Sequence, residues 1–291
     1  WINGVHLTTH YGAYLPFTVD VTDAVFFDGT PNTLAVKADE RQSDDIPGYG
    51  QWLSSGGIYR DVWLHITDKL HVTDAVYADK VAGGGIFVTY PAVTRARADV
   101  AIKTHVQNDD TEAVNCTVES ILVDADGMVV AEAAGTQTIA GGADHSFDHQ
   151  VMVLTPKLWH PNHPNLYTLY THVYQDEQIV DTVQTRVGIR RINFSLADGF
   201  TINGEPFRFR GANRVQDYPY TGWAMGNLSQ RRDAERLKEA GFDYIRTSHY
   251  PMDPAFMDAC DEFGILVMNE IPGFQYVGGD LFKTRSYQTM R

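Results

Sequence analysis

From Trp1 to about Gly188 apolar and polar residues alternate in short runs. Asn32-Thr-Leu-Ala-Val-Lys-Ala38 and Asp61-Val-Trp-Leu-His-Ile66 place apolar side chains on every second position. That is the period of a strand with one buried face, and clusters of Gly, Pro, Asn and Asp separate the runs. The alternation continues over 98–106, 115–123, 128–133 and 166–173, interrupted by the turn-forming Ala140-Gly-Gly-Ala143. About seven strands within roughly 120 residues, from Lys69 to Gly188, predict an immunoglobulin-like sandwich. At the start of the chain, Asn3-Gly4 inside Trp1-Ile-Asn-Gly-Val-His-Leu7 predicts a hairpin already in progress.

After Arg190-Arg191 the period changes. Phe207-Arg-Phe-Arg-Gly-Ala212 is strand-like, whereas Ser229 to Ala240 carries Ala234, Leu237 and Ala240 at helical spacing. Tyr244-Ile-Arg-Thr-Ser248 is again a short strand. Asp253-Pro254 supplies an N-cap and a first-turn proline for a helix over Ala255 to Phe263, and Gly264 closes it before the strand Ile265-Leu-Val-Met268. Strands alternating with helices predict a parallel α/β sheet, either a barrel or a doubly wound sheet. A barrel needs eight strands, so three would be only its opening, and the chain is expected to continue past Arg291.

Composition narrows the function classes. A chain of 291 residues is too long for one ordinary core and predicts two or three domains. No run approaches the ~18 apolar residues of a membrane helix, so no membrane insertion is expected. The net charge of −14, from 23 Lys and Arg against 37 Asp and Glu, repels nucleic acid and anionic lipid and favours a neutral ligand. Cys116 and Cys260 are expected as buried free thiols rather than a disulfide or a metal site. His160 and His163 bracket a Pro-rich turn without acidic company, and His65, His71, His105, His145 and His149 are expected at surfaces or strand edges. Homo-oligomerisation is left open.

One stretch carries a specific resemblance. Asp243-Tyr-Ile-Arg-Thr-Ser-His-Tyr-Pro251, then Phe256-Met257, Asp261 and Gly264-Ile-Leu-Val-Met268, resemble the signature of glycoside hydrolase family 2 from its second to its third barrel strand. That family holds the retaining β-galactosidases, β-glucuronidases and β-mannosidases. Asp243 departs from it, standing where Asn is usual. Gly56-Gly-Ile-Tyr-Arg-Asp-Val62, Trp159-His-Pro-Asn-His-Pro-Asn-Leu-Tyr-Thr-Leu169, Asp198-Gly-Phe-Thr-Ile-Asn-Gly-Glu-Pro206 and Arg210-Gly-Ala-Asn213 extend the likeness along the chain. The resemblance implies the end of a jelly-roll sugar-binding domain over 1–68, an immunoglobulin-like sandwich over 69–188, and the first three βα units of a (β/α)8 TIM barrel over 189–291.

It also implies the chemistry. Retaining glycosidases use two carboxylic groups about 5 Å apart, a nucleophile and an acid/base. In the family these follow the fourth and seventh barrel strands, so no catalytic residue is expected before Arg291. Glu270, although preceded by Asn269 in an Asn-Glu pair, follows the third strand and is expected to contact substrate or hold an ion pair. His249, Asn213, Arg214, Glu270, Tyr250 and Trp223 are the expected substrate-binding residues, the two aromatics by stacking on a pyranose ring. Arg246 is expected to support them. Val215 stands where relatives often carry His. Ile271-Pro-Gly-Phe-Gln-Tyr276 replaces the Glu-Thr-His-Gly of the magnesium-dependent galactosidases, so neither a metal nor another cofactor is expected.

Overall fold

The computed structural model describes residues 1–39, 56–273 and 278–289. Its centre is a two-sheet sandwich whose strands are β1 (Leu70–Val72), β2 (Ile86–Val93), β3 (Arg97–Asn108), β4 (Val114–Val123), β5 (Val129–Ile139), β6 (Asp144–Leu154), the short pair β7 (Trp159–His160) and β8 (His163–Pro164), β9 (Tyr167–Gln175) and β10 (Gln178–Val187). In the first sheet β3 is central, with β6 on one side and β1 and β2 sharing the other. The second runs β10-β9-β4-β5. All neighbours are antiparallel, and alternate residues face the gap between the sheets, which is why the period of two was visible. The Tyr167 hydroxyl accepts from the Lys157 amide at 2.7 Å, pinning the entry to β9.

The sandwich core has two apolar halves. Ile102, Leu122, Leu169 and Val153 belong to one, Val106, Val118, Val173 and Phe147 to the other. Between them, at the intervening inward position of each strand, lie Thr104, Ser120, Thr171 and His149, all buried. The His149 Nδ1 and Ser120 hydroxyl are 3.0 Å apart. His149 is therefore a core residue and not the edge residue expected, because it takes an inward position of β6. His105 also departs from expectation. It faces outward from β3 yet is buried, because the 73–85 segment folds over it, setting Thr73 Oγ1 and Lys80 Nζ each 2.8 Å from its ring nitrogens. Burial lowers the pKa of both imidazoles.

The 32–38 and 61–66 runs do not form the expected jelly-roll strands among the described residues. Ile2 bridges Leu34 and Val5, the latter around Asn3-Gly4 with both residues at positive φ, as the hairpin reading requires. Val62, Trp63, Leu64 and Ile66 are exposed. A strand needs a hydrogen-bonded neighbour, and no described segment lies beside 61–66 to supply one.

Beyond the sandwich a small meander, β11 (Ile192–Ser195), β12 (Gly199–Ile202) and β13 (Glu205–Pro206), precedes a parallel sheet. That sheet holds β14 (Gly211–Arg214), β15 (Tyr244–Thr247) and β16 (Leu266–Met268), with α1 (Asn227–Glu239) and α2 (Pro254–Phe263) between them and α3 (Asp280–Thr289) after. The α2 ends are those read from sequence. The Asp253 carboxylate accepts from the Ala255 amide at 2.9 Å, and Gly264 takes the left-handed conformation at φ 76°. The strand expected over 207–212 begins only at Gly211. Phe207 and Phe209 instead pack with Phe200, Ile202, Tyr244, Leu266 and Trp159, closing the N-terminal end of the parallel sheet. Both cysteines are buried free thiols, pushed up to about 12 by burial.

Contacts on two sides lock this sheet in place. On the sandwich side, Trp159 Nε1 donates to the Asp261 carbonyl at 2.8 Å, and Lys238 Nζ donates to the Pro161 and Gly264 carbonyls at 2.7 and 2.8 Å. On the N-terminal side, Tyr14 stacks on Tyr250 with ring centres 4.1 Å apart, and Arg60 donates to the Tyr14 and Pro251 carbonyls.

The buried imidazoles make the sandwich acid-sensitive. Their folded pKa values lie below the unfolded value, so as pH falls through about 6.5 the unfolded chain gains protons that the folded one does not, and stability falls by up to about 1.4 kcal/mol per pH unit per proton. His149→Gln, neutral throughout, should visibly shrink the loss of urea-unfolding midpoint between pH 7.5 and 5.5. An unchanged pH dependence would contradict this account.

Candidate functional site

In the parallel sheet, residues paired across strands share a face. Asn213, Arg246 and Met268 form one level and Arg214 and Thr247 the next. The first set points to the open side of the sheet, where Asn213 and Met268 are exposed. The second points to the helices and is buried.

At the C-terminal ends of these strands, on the open side, one carboxylate organises the chemistry. Glu270 Oε1 receives the Arg246 Nε–H, and Glu270 Oε2 lies 2.9 Å from His249 Nδ1. Arg246 Nη2 approaches the same Nδ1 at 3.3 Å. A carboxylate can only accept, so a hydrogen bond between His249 Nδ1 and Glu270 Oε2 has the imidazole as donor, and the donor-only Arg246 Nη2 is then a neighbour of Nδ1 rather than its hydrogen-bond partner. All three side chains are partly accessible, at 33%, 12% and 19% for Arg246, His249 and Glu270. The ion pair thus presents directional hydrogen-bonding groups at the mouth of the sheet. Among the described residues, no group of three His, Cys, Asp or Glu side chains converges as metal ligands. Residues 274–276 of the segment read as metal-free lie outside the described residues.

Three expected site residues lie elsewhere. Arg214 occupies the helix-facing side of β14, where Nη2 donates to Gln230 Oε1 and Asp233 Oδ2 of α1 at 2.8 and 2.7 Å, with the guanidinium 4.0 Å from the centre of the Phe256 ring. It is one residue beyond Asn213, and the strand period turns it away. Tyr250 and Trp223 are buried with Tyr14, whose ring covers Tyr250, so neither offers its face to a sugar here. A cleft of about 570 Å³ between 58–61 and 224–229 is likewise away from His249 and Glu270.

Thr247 was not singled out from sequence. It is fully buried, its hydroxyl accepts from the Glu270 amide at 2.9 Å, and it lies 3.1 Å from Asn269 Oδ1. A polar residue on the buried face of an apolar strand was the available signal.

A parallel sheet opening a barrel, fed by an immunoglobulin-like sandwich and carrying Arg, His and Glu at its strand ends, defines the class. The chain belongs to glycoside hydrolase family 2: the family's profile, described as "Glycosyl hydrolases family 2", matches residues 83–190, and "Glycosyl hydrolases family 2, TIM barrel domain" matches 195–288. Among particular relatives, it is 33% identical to a β-galactosidase of Thermoanaerobacter pseudethanolicus, over all of this chain and 38% of that protein. It is 31% identical to a putative β-glucuronidase of Formosa agariphila, over 98% of this chain and 33% of that protein. The crystal structure of a Bacteroides uniformis β-glucuronidase superposes with a TM-score of 0.90 at 31% identity, covering all of this chain and 34% of that one. The chain thus spans little more than a third of the length of these relatives.

Arg214 and Arg246 should separate cleanly by experiment. Arg214→Leu leaves Asp233 and Gln230 without their partner and should destabilise the fold by roughly 2–3 kcal/mol, moderated by the partial exposure of Asp233. Arg246→Leu should cost less stability. Equal losses of melting temperature would place the two guanidinium groups in equivalent environments.

Proposed function

We propose that this chain forms the first wall of the sugar pocket in a retaining exo-β-glycosidase, acting on terminal β-linked sugars of oligosaccharides. The observation that carries the reading is the Glu270 carboxylate shared between Arg246 and His249 at the C-terminal ends of parallel strands, the end of a barrel where active sites are built. Glu270 and His249 bond sugar hydroxyls, Asn213 lies on the same open face, and Arg246 holds the carboxylate. The nucleophile and the acid/base come from later strands of the barrel, so these residues alone do not hydrolyse glycosides. A carbohydrate is the ligand, and no nucleic acid or membrane partner is invoked. Among the described residues no helix is long and apolar enough to cross a membrane.

A β-galactoside is the favoured substrate. Arg246 is committed to Glu270, so this wall offers an ion pair without net charge, which suits a neutral sugar better than a uronate. The β-glucuronidases among the relatives support the second reading, a β-glucuronide, and β-mannoside is the third. A non-catalytic carbohydrate-binding module is the reading from a different class.

The protein with a completed barrel should release nitrophenol from one of the nitrophenyl β-galactoside, β-glucuronide and β-mannoside with retention at the anomeric carbon, and inactivity on all three would favour the binding module. In the active protein His249→Ala should lower kcat/KM by about tenfold or more. Wild-type kinetics would return His249 to a packing role.

A further inference from the structure

We infer that Thr247 is a positioning residue of this site, aiming Glu270 from behind the sheet. The inference rests on the proposed role of Glu270 in sugar binding. The arrangement follows from the strand period: Arg246 and Thr247 are consecutive on β15, so one faces the open side and the other the helices. Thr247 is fully buried, where a hydroxyl must have its hydrogen bonds satisfied.

It finds them in the turn after β16. The hydroxyl oxygen accepts from the Glu270 amide at 2.9 Å, and its proton is directed to Asn269 Oδ1 at 3.1 Å or the Met268 carbonyl at 3.4 Å. The ladder between β15 and β16 ends at Arg246↔Met268, so beyond that level the side chain of Thr247 continues the pairing that the backbone no longer makes. Its oxygen fixes the point at which the chain leaves β16. From that point the Glu270 side chain passes to the open face and reaches Arg246 and His249 together. One hydroxyl therefore couples the second strand to the third at the level where the carboxylate must be aimed. Loss of this bond frees the turn without touching any group on the open face.

The discriminating experiment is a double-mutant cycle in the protein with a completed barrel. Thr247→Val, which keeps the shape and removes the hydroxyl, should lower kcat/KM by about tenfold, while Thr247→Ser, which keeps it, should stay within about threefold of wild type. In a Glu270→Gln background Thr247→Val should cause no more than about a twofold further loss, because the residue acts through Glu270. A full tenfold loss in that background, or wild-type kinetics for Thr247→Val, would overturn the inference. A crystal structure of Thr247→Val reads the same question without activity: the Glu270 carboxylate should have left His249 Nδ1, and its retention in place would also overturn the inference. Absence of wild-type activity would instead count against the glycosidase reading, and the crystallographic readout would still stand.

Discussion

A residue on a β-strand is committed to one face of its sheet, and in β14 to β16 that commitment divides chemistry from scaffold. The open face carries Asn213, Arg246 and Met268, and the helix face carries Arg214, Ile245 and Thr247. β14 and β15 therefore each supply one polar group to the open face, Asn213 and Arg246, and at the next residue one to the buried face, Arg214 and Thr247. The two arginines show how far this goes. Both are guanidinium groups paired with carboxylates, yet the pair of Arg246 lies at the accessible mouth and that of Arg214 is sunk against α1. Burial of the Arg214 guanidinium makes loss of its partners costly.

The helix face is stable only because something covers it. Ile245, Phe256, Ala259, Cys260 and Ile265 form one cluster with the aromatic stack of Tyr14, Trp223 and Tyr250. Residues of the N-terminal segment thus pack into the layer outside this sheet, even though among the described residues its alternating runs contribute one isolated bridge, at Leu34. Tyr250 follows His249 directly, so the same short connection delivers an imidazole to the mouth and an aromatic ring to the packing beneath.

Much of this was legible in the sequence because it depends on local rules. The sandwich strands follow a period of two, and α2 announces both its ends through Asp253-Pro254 and Gly264. The 243–268 signature contains Arg246 and His249, Glu270 follows its last strand directly, and their assembly needs only the ends of adjacent strands. What was not legible depends on partners distant in sequence. Tyr250 and Trp223 are exposed or covered according to where Tyr14 lies, more than 200 residues away. The burial of His105 depends on the 73–85 segment, and Arg214 needed its face assigned before its role could be. The alternation over 61–66 is a true strand pattern that lacks a described neighbour to pair with.

The close approach at Gly264 links the two halves of the molecule more tightly than their separate cores suggest. A Cβ there would lie 2.3 Å from the Pro161 carbonyl, so the β7–β8 turn of the sandwich rests against the residue that ends α2, two positions before β16 begins. Glu270 lies six residues further on. The β7–β8 turn and the start of β16 are therefore set against each other at a point with no spare room: a side chain at 264 must displace the turn or the strand.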